Sequence, residues 1–386
     1  MRRLPGLDLL RAMAIIWVML FHAQSAGLIA QNNHIANYGW MGVDLFFALS
    51  GFLIGGQLFR PFARGEREHL GWFYARRLFR TLPPYLVVLA LYFAVPIFRE
   101  VPRIQPLWQF LTFTENLFID YAQYKAFSHV WSLCIEEQFY LVVPPVVWLL
   151  MRRPSTSKAI AACAVVLIGG MAWRGYVWSH DLAPIRHMVT GPGNFYQLWL
   201  ERIYYATWTR LDGLLCGVVF AMIKAFRPAL WERLMRRAGL VLGLGIVAVG
   251  LSIDLFIDRQ TLVATVVGYP VLSFGMACLV VAGASPRSPI GRWRIPGAGL
   301  IAAMAYSLYL THKEAYHLVG MVAGAGLVHH PLLTGLAYGG AVLAMGGLLY
   351  VIAERPALGL RDRWVGSFSS RATGAFAGET SLNTSP

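Results

Sequence analysis

About ten stretches of roughly 20 predominantly apolar residues recur along this chain, each long enough to cross a hydrocarbon core roughly 30 Å thick. They lie near residues 7–29, 40–59, 81–98, 130–151, 158–173, 206–225, 238–257, 262–283, 299–322 and 333–353. A segment that leaves water must satisfy every backbone N–H and C=O internally, and runs of this length do so as helices. The expected fold class is therefore all-α, a polytopic integral membrane bundle of about ten transmembrane helices. Composition agrees: 57% of the 386 residues are hydrophobic and 13% charged, about half the charged share of a water-soluble domain.

Charge gives the expected orientation. Basic residues cluster in alternate loops: Arg2 and Arg3, then Arg60 to Arg80, Arg152 to Lys158, Lys224 to Arg237, Arg287 to Arg294, and Arg355 to Arg371. Cytoplasmic loops carry such an excess, so both termini are expected to be cytoplasmic. The opposite loops hold only Arg99, Arg103, Lys125, Arg174, Arg186, Arg202, Arg210 and Arg259. The net charge of +14 thus reads as topology, not as nucleic-acid binding, which needs one contiguous basic surface. Residues 1–363 form the expected membrane domain, and the Ser-, Gly- and Thr-rich stretch 364–386 an expected disordered cytoplasmic tail. The four cysteines stand singly in apolar segments without ligand spacing, and His329-His330 has no further ligands nearby in sequence, so no metal is expected.

Polar residues inside the apolar runs carry the functional signal. In the first helix His22 lies about 20° around the axis from Arg11 and about 40° from Asp8, so the three share one stripe. An Arg or Asp near a helix centre costs roughly 2.5 to 3.5 kcal/mol, which turns that stripe towards other helices or a wet cavity. Asp44 enters the bilayer from the opposite side and is expected at the depth of His22, as the carboxylate that orients an imidazole base. The bland alternative makes Asp44 a helix cap. Arg77 and Arg80, three apart, project from one side of a helical turn and can grip a phosphate, or merely set topology.

The fourth span repeats the pattern with His129, Ser132, Glu136 and Tyr140 on one stripe. Glu136 and Glu137 are expected either to lock Arg11 or another buried cation, or to shuttle protons. Arg210 and Asp212 open the sixth helix, and the ninth carries Tyr306 to Glu314, with Lys313 and Glu314 expected to neutralise partners in the bundle. Glu354 ends the last helix, where it could meet the arginines that follow helix two. The long outer segments 99–129 and 174–205, the second rich in aromatic residues, either cap the bundle or offer planar surfaces to a sugar.

These segments together resemble acyltransferase family 3, the integral-membrane O-acyltransferases of bacterial surface glycans and related acceptors. The resemblance runs from about Leu4 to Pro356 and rests on Asp8/Arg11/His22, Gly42 to Ile54 with Asp44 and Ser50, Arg77-x-x-Arg80, His129 to Tyr140, Arg210-x-Asp212, Tyr306 to His312, and Glu354-Arg355-Pro356. It implies ten core helices in the bacterial cytoplasmic (inner) membrane and contact with its lipid. It also implies acetyl-CoA or a similar acyl-CoA as donor and a carbohydrate or glycan hydroxyl at the outer side as acceptor. His22 matches the family's essential histidine, and Arg77 with Arg80 its donor-associated pair. The chain departs at Lys313 and Glu314, where apolar residues or proline are more usual.

The expected site therefore has His22, Asp44, Glu136 and Glu137 as catalytic groups and Arg11, Arg77 and Arg80 on the acyl-CoA. Asp8, Ser50, His129, Ser132, Arg210, Asp212 and His312 are expected on the acceptor. In the expected mechanism a pantetheine arm on the order of 20 Å brings the thioester from the arginines to His22, which deprotonates the acceptor hydroxyl. An acetyl-histidine relay is the rival mechanism. A proton-coupled transporter or glycan exporter is the alternative class, although neither duplicated halves nor paired broken helices are visible.

Overall fold

The computed structural model describes residues 4–66, 70–323 and 330–363. The expected tail 364–386, the basic residues Arg2, Arg3, Arg67 and Arg371, and His329 lie outside the described residues. Within them the chain is helical, with no strand and one isolated bridge between Ile104 and Ala126. The long helices are α1 (Pro5–Ser25), α2 (Met41–Ala63), α3 (Leu70–Ala94), α4 (Trp131–Met151) and α5 (Thr156–Val177). They continue with α6 (Asp212–Phe226), α7 (Ala238–Leu255), α8 (Tyr269–Gly283), α9 (Ala298–Ala323) and α10 (Pro331–Leu349).

Each expected span thus finds a helix, but among the described residues only seven helices are by themselves long and apolar enough to cross a membrane, or eight if α6 and the short helix after it count as one bent span. The three that fall short alone have physical reasons. α3 carries Arg76, Arg77 and Arg80, α9 carries His312, Lys313 and Glu314, and α6 is 15 residues long. α3 also begins at Leu70, not near 81, which puts its arginines on a helix instead of in a loop. α6 is followed by Pro228–Arg236 at 112°, an amphipathic turn-off at the bundle's near side, the side on which α1 begins.

Small residues set the closest packing. A side chain at Gly51 of α2 would collide with the Leu214 carbonyl of α6, and one at Gly217 of α6 with the Ala48 carbonyl of α2. Backbones that approach this closely gain dispersion contact that larger residues would forbid. α1 docks on α2 the same way, with Gly42 against the Ala14 carbonyl. Its Ala14, Ile15 and Val18 are buried while Met13 and Ile16 face outward.

A proline inside a helix leaves the carbonyl four residues earlier without its amide partner, and in one case a neighbouring side chain fills it. Pro145 removes the donor for the Leu141 carbonyl, and Tyr74 of α3 donates its hydroxyl there at 2.9 Å. Tyr306 of α9 also donates to the Thr81 carbonyl at 3.0 Å, a bond that ties α9 to α3. Arg99 folds back on the end of α3, its Nε donating to the Tyr92 carbonyl at 2.6 Å, a cation on a helix C-terminus.

Candidate active site

α1 and α9 lie against each other and bring His22 to His312. His22 Nδ1 and His312 Nε2 are 2.7 Å apart, with the rings stacked at 4.9 Å. The far side of His312 fixes the protons. Its Nδ1 faces the carbonyls of Tyr309 (2.8 Å) and Leu308 (3.2 Å), which only accept, so Nδ1 carries a hydrogen. With both rings neutral, His312 Nε2 is then the acceptor, His22 Nδ1 the donor, and His22 Nε2 keeps its lone pair.

His129 completes a histidine cluster, its ring 5.2 Å from His312 and 6.2 Å from His22. Tyr309 donates to the His129 carbonyl at 2.5 Å and accepts from Ser132 Oγ at 2.7 Å, because its one proton is already committed. Among the described residues neither His129 nitrogen has a hydrogen-bond partner.

Two cavities approach this cluster from opposite sides. The far-side cavity, of about 600 Å³, is lined by His22, His129, Trp131, Tyr204, Tyr205 and Lys313 among others. The near-side cavity, of about 200 Å³, takes in Arg11, Arg77 and Arg80 together with Ser50, Glu136 and Glu137. Val43 and Tyr309 line both, so the cavities meet at one layer of side chains.

In the near-side cavity Glu136 accepts from Ser50 Oγ at 3.1 Å and from the Tyr140 hydroxyl at 2.7 Å. Arg77 lies 5.0 Å from the centre of the Tyr140 ring, and its Nη2 reaches Gln57 Oε1 at 3.5 Å. The three guanidinium groups repel one another, and Glu136 and Glu137 in the same cavity offset only two of the three charges, which favours a further anion among them. Glu354 accepts from Ser307 Oγ at 2.6 Å, and Arg80 is the charge that acts on it.

Several expected residues stand elsewhere. Asp44 does not reach His22: its carboxylate receives Arg210 Nη2 at 2.9 and 3.0 Å, and both side chains are buried. The cause is the tight α2–α6 seam, which turns Asp44 onto α6, where Tyr269 and Tyr204 stack on the guanidinium at 4.2 and 4.7 Å. Asp212 is likewise bound by Arg174 of α5, at 2.6 and 3.2 Å. Arg210 and Asp212 therefore join helices and line neither cavity.

Asp8 acts on Arg11 at the near side, away from the far-side cavity. Ser50 and Ser132 line the near-side cavity, not the acceptor side expected for them, and Glu136 and Glu137 line that cavity with the arginines, not the far-side cavity with His22. His312 is buried behind His22. His312, not Asp44, is the side chain that meets the His22 imidazole.

Lys313, half-buried, pairs with Glu100 at 2.7 Å, as expected of a cation that neutralises a partner in the bundle, whereas among the described residues neither oxygen of Glu314 has a hydrogen-bond partner. Glu100, His129 and Glu314 bring ligand atoms within 4.8 Å of one another. Glu100 also accepts from the Tyr92 hydroxyl and the Phe127 amide, so Lys313 already supplies the positive charge that its carboxylate needs. Outside the spans, burial pushes the Glu115 carboxyl well above the usual range. Tyr309, Lys125, Glu100 and Arg259 were absent from the expected site. Lys125 and Arg259 had one signal in the sequence: they are cations in the loops that otherwise avoid them.

A family model described as an acyltransferase domain matches residues 4–351. The chain belongs to this acyltransferase family. It is 27% identical over 359 residues to the O-acetyltransferase OatA of Staphylococcus aureus (strain NCTC 8325 / PS 47), a match covering 87% of this chain and 55% of the relative. A second S. aureus protein (strain COL), described as a putative O-acetyltransferase, is 29% identical over 237 residues, covering 58% of this chain and 35% of the relative. The chain thus spans about half the length or less of these relatives. No solved structure matches.

Proposed function

We propose that this acyltransferase-family chain moves an acetyl or other short acyl group from acyl-CoA, bound from the cytoplasm, to a carbohydrate hydroxyl on the outer side of a bacterial cytoplasmic membrane. The observation that carries the reading is the pair of cavities that meet at Tyr309 and Val43, arginine-lined on one side, histidine- and aromatic-lined on the other. The O-acetyltransferase descriptions of its relatives supply the reaction class.

In this reading Arg11, Arg77 and Arg80 hold donor phosphates, which guanidinium groups grip in bidentate fashion. The acyl arm passes Ser50 and Ser132 towards Tyr309. His22 acts as general base through its unprotonated Nε2: it takes the acceptor's hydroxyl proton as that oxygen attacks the thioester carbonyl, and the CoA thiolate leaves. His312 positions His22, because its Nδ1 is tied to backbone carbonyls and its Nε2 receives the His22 proton. The imidazolium formed on His22 returns its proton to the leaving thiolate or to water, which restores the neutral pair.

The test is acetyl transfer from labelled acetyl-CoA in membranes containing the full chain. His22→Ala is expected to lower transfer by about 10²–10⁴-fold, the range attributed to a positioned base. Near-normal transfer by that variant would remove His22 from the chemistry. Labelled solute crossing the membrane without any acetylated product would replace the transferase reading with transport.

A further inference from the structure

The charges lining the far-side cavity do not balance. Glu100 is taken by Lys313, with Oε1 and Nζ 2.7 Å apart. Lys125 and Arg259 line the same cavity, and among the described residues neither has a carboxylate within ion-pair distance. Both are held by rings. Lys125 Nζ lies 4.9 Å from the centre of the Tyr121 ring, and Arg259 Cζ lies 5.2, 5.5 and 5.8 Å from those of Trp40, Trp199 and Tyr204.

Ring contacts of this kind steady a cation without consuming its N–H donors. A guanidinium has five donors, and those of Arg259 make no hydrogen bond to protein among the described residues. The fork therefore remains available to a planar or tetrahedral anion. The surrounding wall of Trp131, Tyr196, Tyr205 and Tyr316 offers faces to a sugar ring, and His22 lies in the same cavity.

We infer that the acceptor is an anionic carbohydrate, whose carboxylate or phosphate is received by Arg259 with Lys125 while its ring lies on the aromatic wall and a hydroxyl reaches His22. The inference rests on the acyl-transfer reading of this cavity and narrows it to a substrate class. A neutral glycan would leave both cations facing the cavity without a counter-charge. An anion on the sugar neutralises them and fixes which way round the ring enters.

Binding is measured on the full chain in neutral detergent by quenching of tryptophan fluorescence, since Trp40 and Trp199 adjoin Arg259. The probes are a glucuronate-terminated disaccharide, its glucose-terminated counterpart, and a disaccharide carrying a phosphate. At low salt an anionic probe is expected to bind roughly tenfold or more tightly than the neutral one, the scale of a charge-assisted hydrogen bond. Tighter binding of the glucuronate or of the phosphate probe identifies the anion.

Arg259→Gln and Lys125→Gln are each expected to reduce that preference, and Arg259→Lys to retain part of it. Lys125 is exposed, so its variant still tests the inference if Arg259→Gln fails to fold. Equal binding of charged and neutral probes, or a preference undiminished in both Gln variants, overturns it. Acetyl release from acetyl-CoA is followed separately in the same preparation. Its absence, with anion preference intact, removes the transfer reading and leaves the anion site; its presence without anion preference removes only this inference.

Discussion

One hydrogen-bond chain at residue scale decides what His22 can do. Two backbone carbonyls at one end of His312 force a proton onto Nδ1, and that proton order leaves His22 Nε2 basic. Asp44, by contrast, is committed to Arg210 in a buried pair, and removing one partner of such a pair costs about 3–5 kcal/mol because the other charge stays buried. Asp44→Ala is therefore expected to lower the melting temperature in detergent sharply. Asp44→Ala combined with Arg210→Met should regain most of the loss, since no orphan charge remains. A single variant that melts normally but no longer transfers acetyl groups would return Asp44 to the reaction itself.

Single elements owe their form to repairs made by their neighbours. The Leu141 carbonyl loses its helical donor to Pro145 and receives the Tyr74 hydroxyl instead, which ties α3 to α4 beside the arginines. Tyr74→Phe is expected to cost about 1 kcal/mol in unfolding free energy. With Pro145→Ala the amide returns and most of that effect should vanish, so the coupling measured by a double-mutant cycle is the test. Equal losses in both backgrounds would mean that Tyr74 stabilises by packing alone. The α2–α6 seam follows the same rule of close fit, since Gly51 and Gly217 each face a backbone carbonyl that no side chain could replace.

Over the whole molecule, the proposed function depends on two cavities that share a wall. If donor and acceptor occupy opposite cavities, variants on either side should separate kinetically. Arg77→Ala is expected to raise the apparent KM for acetyl-CoA about tenfold, the loss of one charged hydrogen bond, and to leave the acceptor KM unchanged. An unchanged donor KM would count against phosphate binding there. The charge map anticipated this arrangement in part. Cations gathered at the near side are those expected to mark topology, while five of the eight in the opposite loops have a local reason: Arg174 and Arg210 join helices, Arg99 caps one, and Lys125 and Arg259 face the cavity.

The sequence by itself determined the all-helical class, the sites at which long helices form, and the stripes of polar residues that cannot face lipid. These follow from length, hydropathy and the 3.6-residue period, which are local properties. Tertiary structure alone decided the partners. A helical period gives the face on which Asp44 or His22 lies but not the neighbour that face will meet. That choice was made by glycine seams that rotate α2 onto α6, and by the packing of α9 on α1 across 290 residues of chain. It gave Asp44 to Arg210 and His22 to His312, and it set Val43 and Tyr309 between the two cavities.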